Sequence, residues 1–192
     1  MDVIVIDFEW NHAMPGRTPV RDLGNEIIQI GAAKIDMQCN VTCTFSTFVK
    51  PCYYPKITRD ITELTFISDK DVADAPPFLT AVDEFRRWCG DDAVFVSWSG
   101  TDISVLIKNC LKFGYPTDWI PDCFDAQLMF DDMEMQEDRT WPLNYALFHF
   151  KERPDGAHNA LSDVMSTILI LKHLDLEDGL SDPYFKVQSD SN

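Results

Sequence analysis

The chain has 192 residues, of which 45% are apolar, and its 32 acidic and 16 basic side chains give a formal net charge of −16. This length and apolar content favour one folded domain with a substantial core and exclude a disordered chain. Proteins that grip a long duplex normally present a basic face. The acidity therefore argues against tight, non-specific duplex binding, and any nucleic acid must be held locally, over few nucleotides.

Several features indicate a reducing compartment. The chain opens Met-Asp, acidic residues break its first apolar run, and no stretch approaches the length of a membrane span. The six cysteines form no CxxC pair and have no histidine at zinc-site spacing. We therefore expect free thiols in a cytoplasmic protein with no membrane partner.

The first apolar run, Val3-Ile4-Val5-Ile6-Asp7-Phe8-Glu9-Trp10, ends in two carboxylates separated by one residue. Its β-branched residues predict a strand over residues 2–9 that is buried on both faces. Side chains alternate along a strand, so Asp7 and Glu9 point the same way. Two adjacent carboxylates repel each other unless a proton or a metal compensates, and oxygen ligands of this kind suit Mg²⁺ or Mn²⁺. The alternatives are an edge strand with two solvated acids and a hydrogen-bonded turn.

The remaining pattern predicts an α/β domain. Strands are expected over 26–35, 42–50, 93–98 and near 119–125, and helices over 78–89, after 101, near 125–133, after Pro142 and over 159–173. Residues 51–77 are expected to be irregular with one helical turn near 60–66, and 131–138 to be a solvated acidic linker. Short early connections indicate an antiparallel meander, and the later crossovers indicate parallel strands. The expected fold is a central mixed sheet of about five strands with helices on both faces.

Asp102 follows the predicted fourth strand, one or two residues into a helix. An acid in the first turn stabilises the helix dipole, and this structural role is one interpretation. If the first and fourth strands lie side by side, however, their ends converge and Asp102 faces Asp7 and Glu9. It would then add a third carboxylate to a metal site. Asp125, at the end of the short fifth strand, is a rival ranked below it.

His158 and Asp163 form the third candidate group, with four residues between them. Five positions rotate an ideal helix by about 140°, so two helical side chains at this spacing do not share a face. They converge only if His158 lies in a loop, which Gly156 favours, and Asp163 projects from the helix that follows. The alternative for His158 alone is an ordinary loop histidine.

Together, Asp-x-Glu at a strand end, an Asp that opens a helix and His-x4-Asp resemble the DEDDh 3′–5′ exonucleases, the DnaQ-like members of the ribonuclease H-like superfamily. The resemblance covers about residues 2–174 and extends to Glu26-Ile-Ile-Gln-Ile-Gly, Phe48-Val-Lys-Pro and Ala75-Pro-Pro-Phe. Asp-Phe-Glu-Trp and the turn at Trp98 look closest to the branch that trims structured or small RNAs. The chain departs from the family at Leu64-Thr-Phe-Ile, where Leu-Thr-Gly-Ile is common.

The resemblance implies a ribonuclease H-like fold and a metal-dependent 3′–5′ exonuclease. Such an enzyme hydrolyses terminal phosphodiester bonds of RNA or DNA and releases nucleoside 5′-monophosphates. Two divalent cations, Mg²⁺ or Mn²⁺, would be held by Asp7, Glu9, Asp102 and Asp163. His158 would act as general base on the attacking water, because imidazole titrates near neutral pH. The sister class has Tyr where this chain has Asn159, which favours His158 as the base.

Candidate substrate-binding residues are Phe8, Trp10, His12, Arg17, Arg21 and Arg153, with Lys151 beside the last. Trp10 and His12 follow the acidic strand, where they could stack on a terminal base, although a purely structural Trp is an equal alternative. The arginines and Lys151 flank the site in sequence and could contact phosphates. The expected partner is a nucleic acid 3′ end, single-stranded or short.

Three alternatives remain at the level of sequence. A proofreading or oligonucleotide-scavenging nuclease would differ only in substrate. A catalytically silent nucleic-acid-binding or interaction module on the same fold is disfavoured, because all five catalytic positions are filled. An unrelated α/β metal-dependent phosphatase would act on free phosphomonoesters instead. The expected organisation is an exonuclease domain over residues 1–174 and a polar, acidic, frayed tail over 175–192.

Overall fold

The structure is a computed structural model and describes residues 1–134, 140–153 and 159–187. The strands in these ranges are β1 (Asp2–His12), β2 (Asn25–Ile35), β3 (Val41–Phe48), β4 (Ala93–Ser97) and β5 (Cys123–Asp125). They form one sheet in the order β3-β2-β1-β4-β5. β1 pairs antiparallel with β2 and parallel with β4, while β3 joins β2 antiparallel and β5 joins β4 parallel. The predicted mixed five-stranded sheet is therefore confirmed.

Helices cover both faces of the sheet. Those described are α1 (Arg59–Thr65), α2 (Asp69–Val72), α3 (Phe78–Cys89), α4 (Thr101–Phe113), α5 (Ala126–Met133), α6 (Leu143–Phe150), α7 (Ala160–Leu171) and α8 (Leu176–Ser181), followed by a 3-10 helix at Pro183–Phe185. α3 and α4 pack on the β1 face that carries Ile4, Ile6 and Phe8. α7 packs on the other face, against Val3 and Val5. β1 is thus the central strand, buried on both faces as predicted.

The predicted irregular segment 51–77 contains two short helices. α1 lies at the predicted helical turn, whereas α2 was not predicted. α2 begins with a capping box, in which the Asp71 carboxylate accepts the Ser68 backbone N–H at 2.8 Å. A four-residue helix is too short to show apolar periodicity, so the pattern gives no sign of it.

The predicted acidic linker at 131–138 begins later than expected. Asp131 belongs to α5, is buried, and accepts the Trp141 backbone N–H at 3.2 Å. The linker prediction is therefore wrong at this residue, where one carboxylate oxygen accepts a backbone hydrogen bond and the other is buried without a partner among the described residues. Residues 135–139 lie outside the described part of the chain.

The segment after residue 174 is ordered as far as the structure describes it. Residues 175–187 form α8 and the 3-10 helix, and they place Leu176 and Phe185 in the same core as α7. The Val187 backbone N–H donates to the Cys123 carbonyl of β5 at 2.7 Å. The expected frayed tail is therefore wrong over 175–187, because two buried apolar residues among the acids anchor the segment. The domain boundary at 174 stays a prediction, and 188–192 lie outside the described residues.

The cysteines are free thiols, as expected. Cys39, Cys89, Cys110 and Cys123 are buried, while Cys43 and Cys52 are exposed. Desolvation raises the pKa of the thiols of Cys89, Cys110 and Cys123 to about 12, so these side chains act as small apolar residues. Among the described helices, none has both the length and the apolar character needed to cross a membrane.

Close contact between β2 and α7 fixes the position of that helix. A Cβ atom at Gly31 would overlap the carbonyl carbon of Ala160, so only glycine fits where the strand passes the helix. Beside it, the Gln29 side-chain oxygen accepts the Ala160 backbone N–H at 3.1 Å. Both contacts act on the first turn of α7, which also carries Asp163.

We expect Gly31→Ala to destabilise the protein. The added methyl group would overlap the backbone of Ala160 and Leu161, which cannot yield as the end of a flexible side chain can. The free energy of unfolding, measured by urea denaturation, should fall by about 1–3 kcal/mol, the usual cost of overpacking. An unchanged urea midpoint would contradict the close approach of α7 to β2.

Candidate active site

Three carboxylates converge where β1 meets α7. Asp7 and Glu9 project from β1 towards the face that α7 covers, and Asp163 projects from the first turn of α7. One oxygen from each side chain lies within 4.8 Å of the other two. Each residue is partly exposed, so the group is open to a ligand. These three residues, the acidic cluster below, are three of the four carboxylates that the sequence proposed as metal ligands.

Local features of both elements aim these side chains. The register between β1 and β2 shifts between Glu9 and Trp10, which places a bulge at the acidic end of the strand. Bulges bend a strand and redirect its side chains. α7 begins after Asn159, whose side chain accepts the Ser162 backbone N–H at 3.1 Å and caps the helix. This cap fixes the turn from which Asp163 projects.

Asp102 lies in the first turn of α4, next to the acidic strand. It is 5% exposed, and its Oδ1 accepts the Phe8 backbone N–H at 3.1 Å. The pairing of β1 with β4 ends at Val5 opposite Val96, so the carboxylate supplies an acceptor beyond the last strand pair. The expected side-by-side arrangement of the first and fourth strands is therefore observed. A helix-dipole role and a role in the site are both compatible with this position.

Burial and mutual repulsion raise the pKa values of these carboxyl groups. Desolvation, followed by the charges of Asp163 and Asp102, raises the pKa of Glu9 to about 8. Desolvation raises the pKa of Asp102 to about 7, although the Phe8 N–H opposes the shift. Burial first, and then the other three carboxylates, hold the pKa of Asp7 well above its usual range. These shifts oppose full ionisation of the group near neutral pH, and a bound cation would compensate the charge.

The donor set of the acidic cluster fits hard divalent cations. It contains carboxylate oxygens alone, the ligands that Mg²⁺ and Mn²⁺ prefer. A cation bound there would offset the repulsion that raises the pKa of Asp7 and Glu9. Asp102 is not part of this close group among the described residues. Its charge nevertheless raises the pKa of Asp7 and of Glu9.

Two predicted residues remain, His158 and Asp125, and the structure describes only the second. His158 lies outside the described residues, so its role as general base stays a prediction. Asp125, the rival of Asp102, has a structural position in which both carboxylate oxygens accept backbone N–H groups. Its Oδ1 accepts from Leu128 and caps α5, and its Oδ2 accepts from Gly100, each at 3.0 Å.

The predicted aromatic contacts lie in different environments. Phe8 is 2% exposed, and its ring packs edge-on against Phe85 in the core on the opposite face of the sheet. Its side chain therefore supports the strand from the core, away from the acidic cluster. Trp10 is half-buried and packs against the same core. His12 bonds the Asp60 carboxylate at 2.8 Å and so links the end of β1 to α1.

The predicted cationic contacts all lie at the surface. Arg17 is exposed in the loop after β1, and Arg21 in the same loop pairs with Asp22 at 3.4 Å. Lys151 and Arg153 are exposed after the end of α6. Their contacts with phosphates stay a prediction.

Two polar residues that hold the site together were missed from the sequence. Gln29 binds the first turn of α7, as described above. Asn109 of α4 is fully buried, and it accepts the Ile27 N–H at 3.1 Å and donates to the Asn25 carbonyl at 2.9 Å. These bonds join α4 to β2 beside the bulge. The sequence signal that could have identified Gln29 and Asn109 is a polar residue on an otherwise apolar face of a strand or helix.

Comparison with known proteins decides the family. Residues 4–171 match the RNase_T exonuclease family. The chain belongs to this exonuclease family. The predicted class of DEDDh 3′–5′ exonucleases is therefore confirmed, and in this class the acidic cluster is suited to divalent metal ions.

Known exonucleases are similar to this one, in sequence or in structure, along most of its length. The probable 3′-5′ exonuclease KapD of Bacillus subtilis (strain 168) is 26% identical over 174 residues, 88% of this chain and 82% of that protein. The nuclease domain of 3′hExo, a DEDDh family member bound to rAMP, superposes with a TM-score of 0.78 at 19% identity, over 93% of this chain and 92% of that one. E. coli Exonuclease I in complex with dT13 superposes with a TM-score of 0.71 at 16% identity, over 90% of this chain and 40% of that one. These similarities confirm the predicted fold.

We expect the metal-free exonuclease to lose stability as the pH rises from about 5 to about 8. Carboxyl groups in the unfolded chain titrate near pH 4. In the folded protein those of the site keep their protons to a higher pH, and the pKa of Glu9 is about 8. Across this range the unfolded state binds fewer protons, so the free energy of unfolding falls with pH. Melting temperatures measured in EDTA across the range check this.

Mg²⁺ should reverse the effect. Because metal binding requires deprotonated carboxylates, we expect it to raise the melting temperature more at about pH 8 than at about pH 5. Asp7→Asn is the test variant, since it removes one carboxylate from the acidic cluster. It should raise the metal-free melting temperature at the higher pH and weaken the response to Mg²⁺. A wild-type melting temperature that responds to neither pH nor Mg²⁺ would contradict this account of the acidic cluster.

Proposed function

We propose that this exonuclease hydrolyses the terminal phosphodiester bond at a nucleic acid 3′ end and releases a nucleoside 5′-monophosphate. The observation that carries the proposal is the acidic cluster, in which β1 and α7 bring three carboxylates within 4.8 Å. Carboxylates gathered this closely repel each other and repel a phosphodiester unless cations intervene. The cluster therefore suits metal-dependent phosphodiester chemistry.

Asp7, Glu9 and Asp163 would hold two divalent cations, Mg²⁺ or Mn²⁺, with Asp102 acting on the second. When bound, such cations neutralise the phosphate and provide a nucleophilic water at neutral pH. The fold contributes by restraining the carboxylates. The Phe8 N–H holds Asp102, and the cap at Asn159 fixes the turn that carries Asp163.

His158 would act as the general base that takes a proton from the attacking water. Imidazole titrates near neutral pH, which suits this task. Attack on the terminal phosphorus breaks its bond to the 3′ oxygen of the preceding nucleotide. The released nucleotide keeps the phosphate, and the shortened strand gains a 3′ hydroxyl. No covalent enzyme intermediate is needed, because positioning and charge neutralisation supply the acceleration.

The proposed substrates are single-stranded or short 3′ ends of RNA or DNA. Both sugars have support among structurally similar exonucleases, since 3′hExo binds rAMP and Exonuclease I binds dT13. The net charge of −16 opposes the many phosphate contacts that binding to a long duplex requires. Single-stranded ends therefore fit this chain better than long duplexes.

Digestion of 5′-labelled RNA and DNA oligonucleotides, single-stranded and duplex, with Mg²⁺ or Mn²⁺ tests the proposal. We expect a ladder that shortens from the 3′ end and disappears in EDTA. Asp7→Asn should lower the rate at least about 10³-fold, because charge stabilisation by metal is worth several kcal/mol. His158→Ala should lower it about 10²- to 10⁴-fold, the usual contribution of a general base.

Asp131→Asn is the matched control, because Asp131 is a buried aspartate outside the acidic cluster. We expect it to keep wild-type activity. A folded wild-type protein that cleaves no substrate with either metal would contradict the proposal and favour a catalytically silent nucleic-acid-binding module. Full activity of His158→Ala would exclude His158 as the base and leave the metal site standing.

A further inference from the structure

A cavity of about 300 Å³ lies where β1 ends, beyond the acidic cluster. One wall is the loop that follows β1, residues 13–20, and the other is the segment 53–56. Neither segment belongs to the acidic cluster, and neither forms part of a helix or strand. The cavity is therefore a separate concave surface next to the proposed site.

Buried polar side chains hold the second wall in place. Glu26 of β2 is 1% exposed, and its carboxylate accepts the backbone N–H groups of residues 52–54 at 2.6 to 3.0 Å. Asn11 of β1 is fully buried and donates to the carbonyls of Tyr54 and Lys56 at 2.9 and 2.8 Å. Such satisfied buried networks fix a single arrangement of the backbone. The wall is thus rigidly attached to the two strands that form the proposed site.

The first wall is joined to the second through Tyr54. This side chain is 7% exposed, and its hydroxyl accepts the Val20 backbone N–H at 2.8 Å. A tyrosine hydroxyl can also donate its own proton, and within the described ranges no acceptor is paired with it. The cavity wall therefore contains a buried hydroxyl with a donor available for a ligand.

The charge of the cavity differs from that of the whole protein. Its lining includes the cations Arg17 and Lys56 and no carboxylate residue, although the chain carries a net charge of −16. Lys56 pairs with Asp69 at 3.0 Å. Arg17 is exposed and has no carboxylate partner among the described residues. An anionic ligand that contacts Arg17 would therefore meet an uncompensated positive charge.

The distance from the acidic cluster suits a nucleic acid strand. An extended strand rises about 3.3 Å per residue, so His12, where β1 ends next to the cavity, lies roughly 10 Å beyond Glu9. Nucleotides follow one another at about 3.4 Å in a stacked strand and further apart in an extended one. A strand whose 3′ end occupies the acidic cluster therefore reaches the cavity with a nucleotide a few positions upstream.

We propose that this cavity binds the phosphate and base of a nucleotide a few positions upstream of the scissile bond. Arg17 contacts the phosphate, the Tyr54 hydroxyl donates a hydrogen bond, and the half-exposed ring of Tyr53 contacts the base. The inference rests on the proposed function, because it requires the 3′ end to lie at the acidic cluster. Its consequence is that the enzyme prefers strands long enough to reach the cavity.

Steady-state hydrolysis of single strands from about two to about eight nucleotides long tests this proposal. Wild-type kcat/KM should rise at the length that reaches the cavity. In Arg17→Ala, the ratio of kcat/KM for the longest strand to that for the dinucleotide should fall about tenfold, as expected for one charge-assisted hydrogen bond. The slope of log KM against log salt for long strands should also decrease by about 0.7, the value for one phosphate contact on a single strand.

Arg87→Ala is the matched control. Arg87 is an exposed arginine of α3 that does not line the cavity, and it pairs with Asp83 at 3.1 Å. The Arg87→Ala variant should keep the wild-type dependence of kcat/KM on strand length and the wild-type slope of log KM against log salt. An equal loss in both variants would overturn the proposal in favour of a general charge effect.

Two further outcomes would overturn the proposal while the proposed function stands. One is an active wild type whose kcat/KM does not depend on length, and the other is a length dependence that Arg17→Ala leaves intact. A wild type that cleaves no strand of any length, including the dinucleotide, overturns the proposed function and this inference with it. The two failures are therefore distinguishable.

Discussion

Mutual repulsion among carboxylates is the constraint on which the rest of this fold depends. Asp7, Glu9 and Asp163 lie within 4.8 Å of one another, and Asp102 adds a fourth negative charge beside them. Burial strengthens this repulsion and raises the pKa values, so the metal-free protein keeps some of these groups protonated near neutral pH. Under the proposed function, a divalent cation would relieve the same cost and make the cluster a site for a phosphodiester. Stability, metal binding and activity would then share one physical cause.

The fold holds these charges together through buried side chains that bond to the backbone of neighbouring elements. Asp102 joins α4 to β1 through the Phe8 N–H, and Asn109 joins the same helix to β2. Gln29 joins β2 to α7, and Gly31 lets that helix approach the sheet closely. Each link satisfies a buried backbone group, so it stabilises the fold as well as the site. The acidic cluster is therefore positioned by the packing of four elements, β1, β2, α4 and α7.

Sequence alone predicted the parts of this arrangement that depend on local pattern. Alternation along β1 placed Asp7 and Glu9 on one face, and the expected pairing of the first and fourth strands placed Asp102 beside them. Contacts between distant residues leave no such pattern, so the bond from Gln29 to α7 and the structural role of Asp125 became visible only in three dimensions. The ordered segment 175–187 was missed for a related reason. Its few apolar residues are spaced among acids, and their burial depends on a surface formed by other elements.

Anomalous diffraction from crystals soaked in Mn²⁺ tests the central claim most directly. The central claim is that the acidic cluster, where β1 packs on α7, binds divalent cations. We expect an anomalous peak in contact with the carboxylates of Asp7, Glu9 and Asp163, and the loss of that peak in crystals of Asp7→Asn. A protein that hydrolyses 3′ ends at a given Mn²⁺ concentration, yet shows no peak at the cluster at that concentration, would contradict the account.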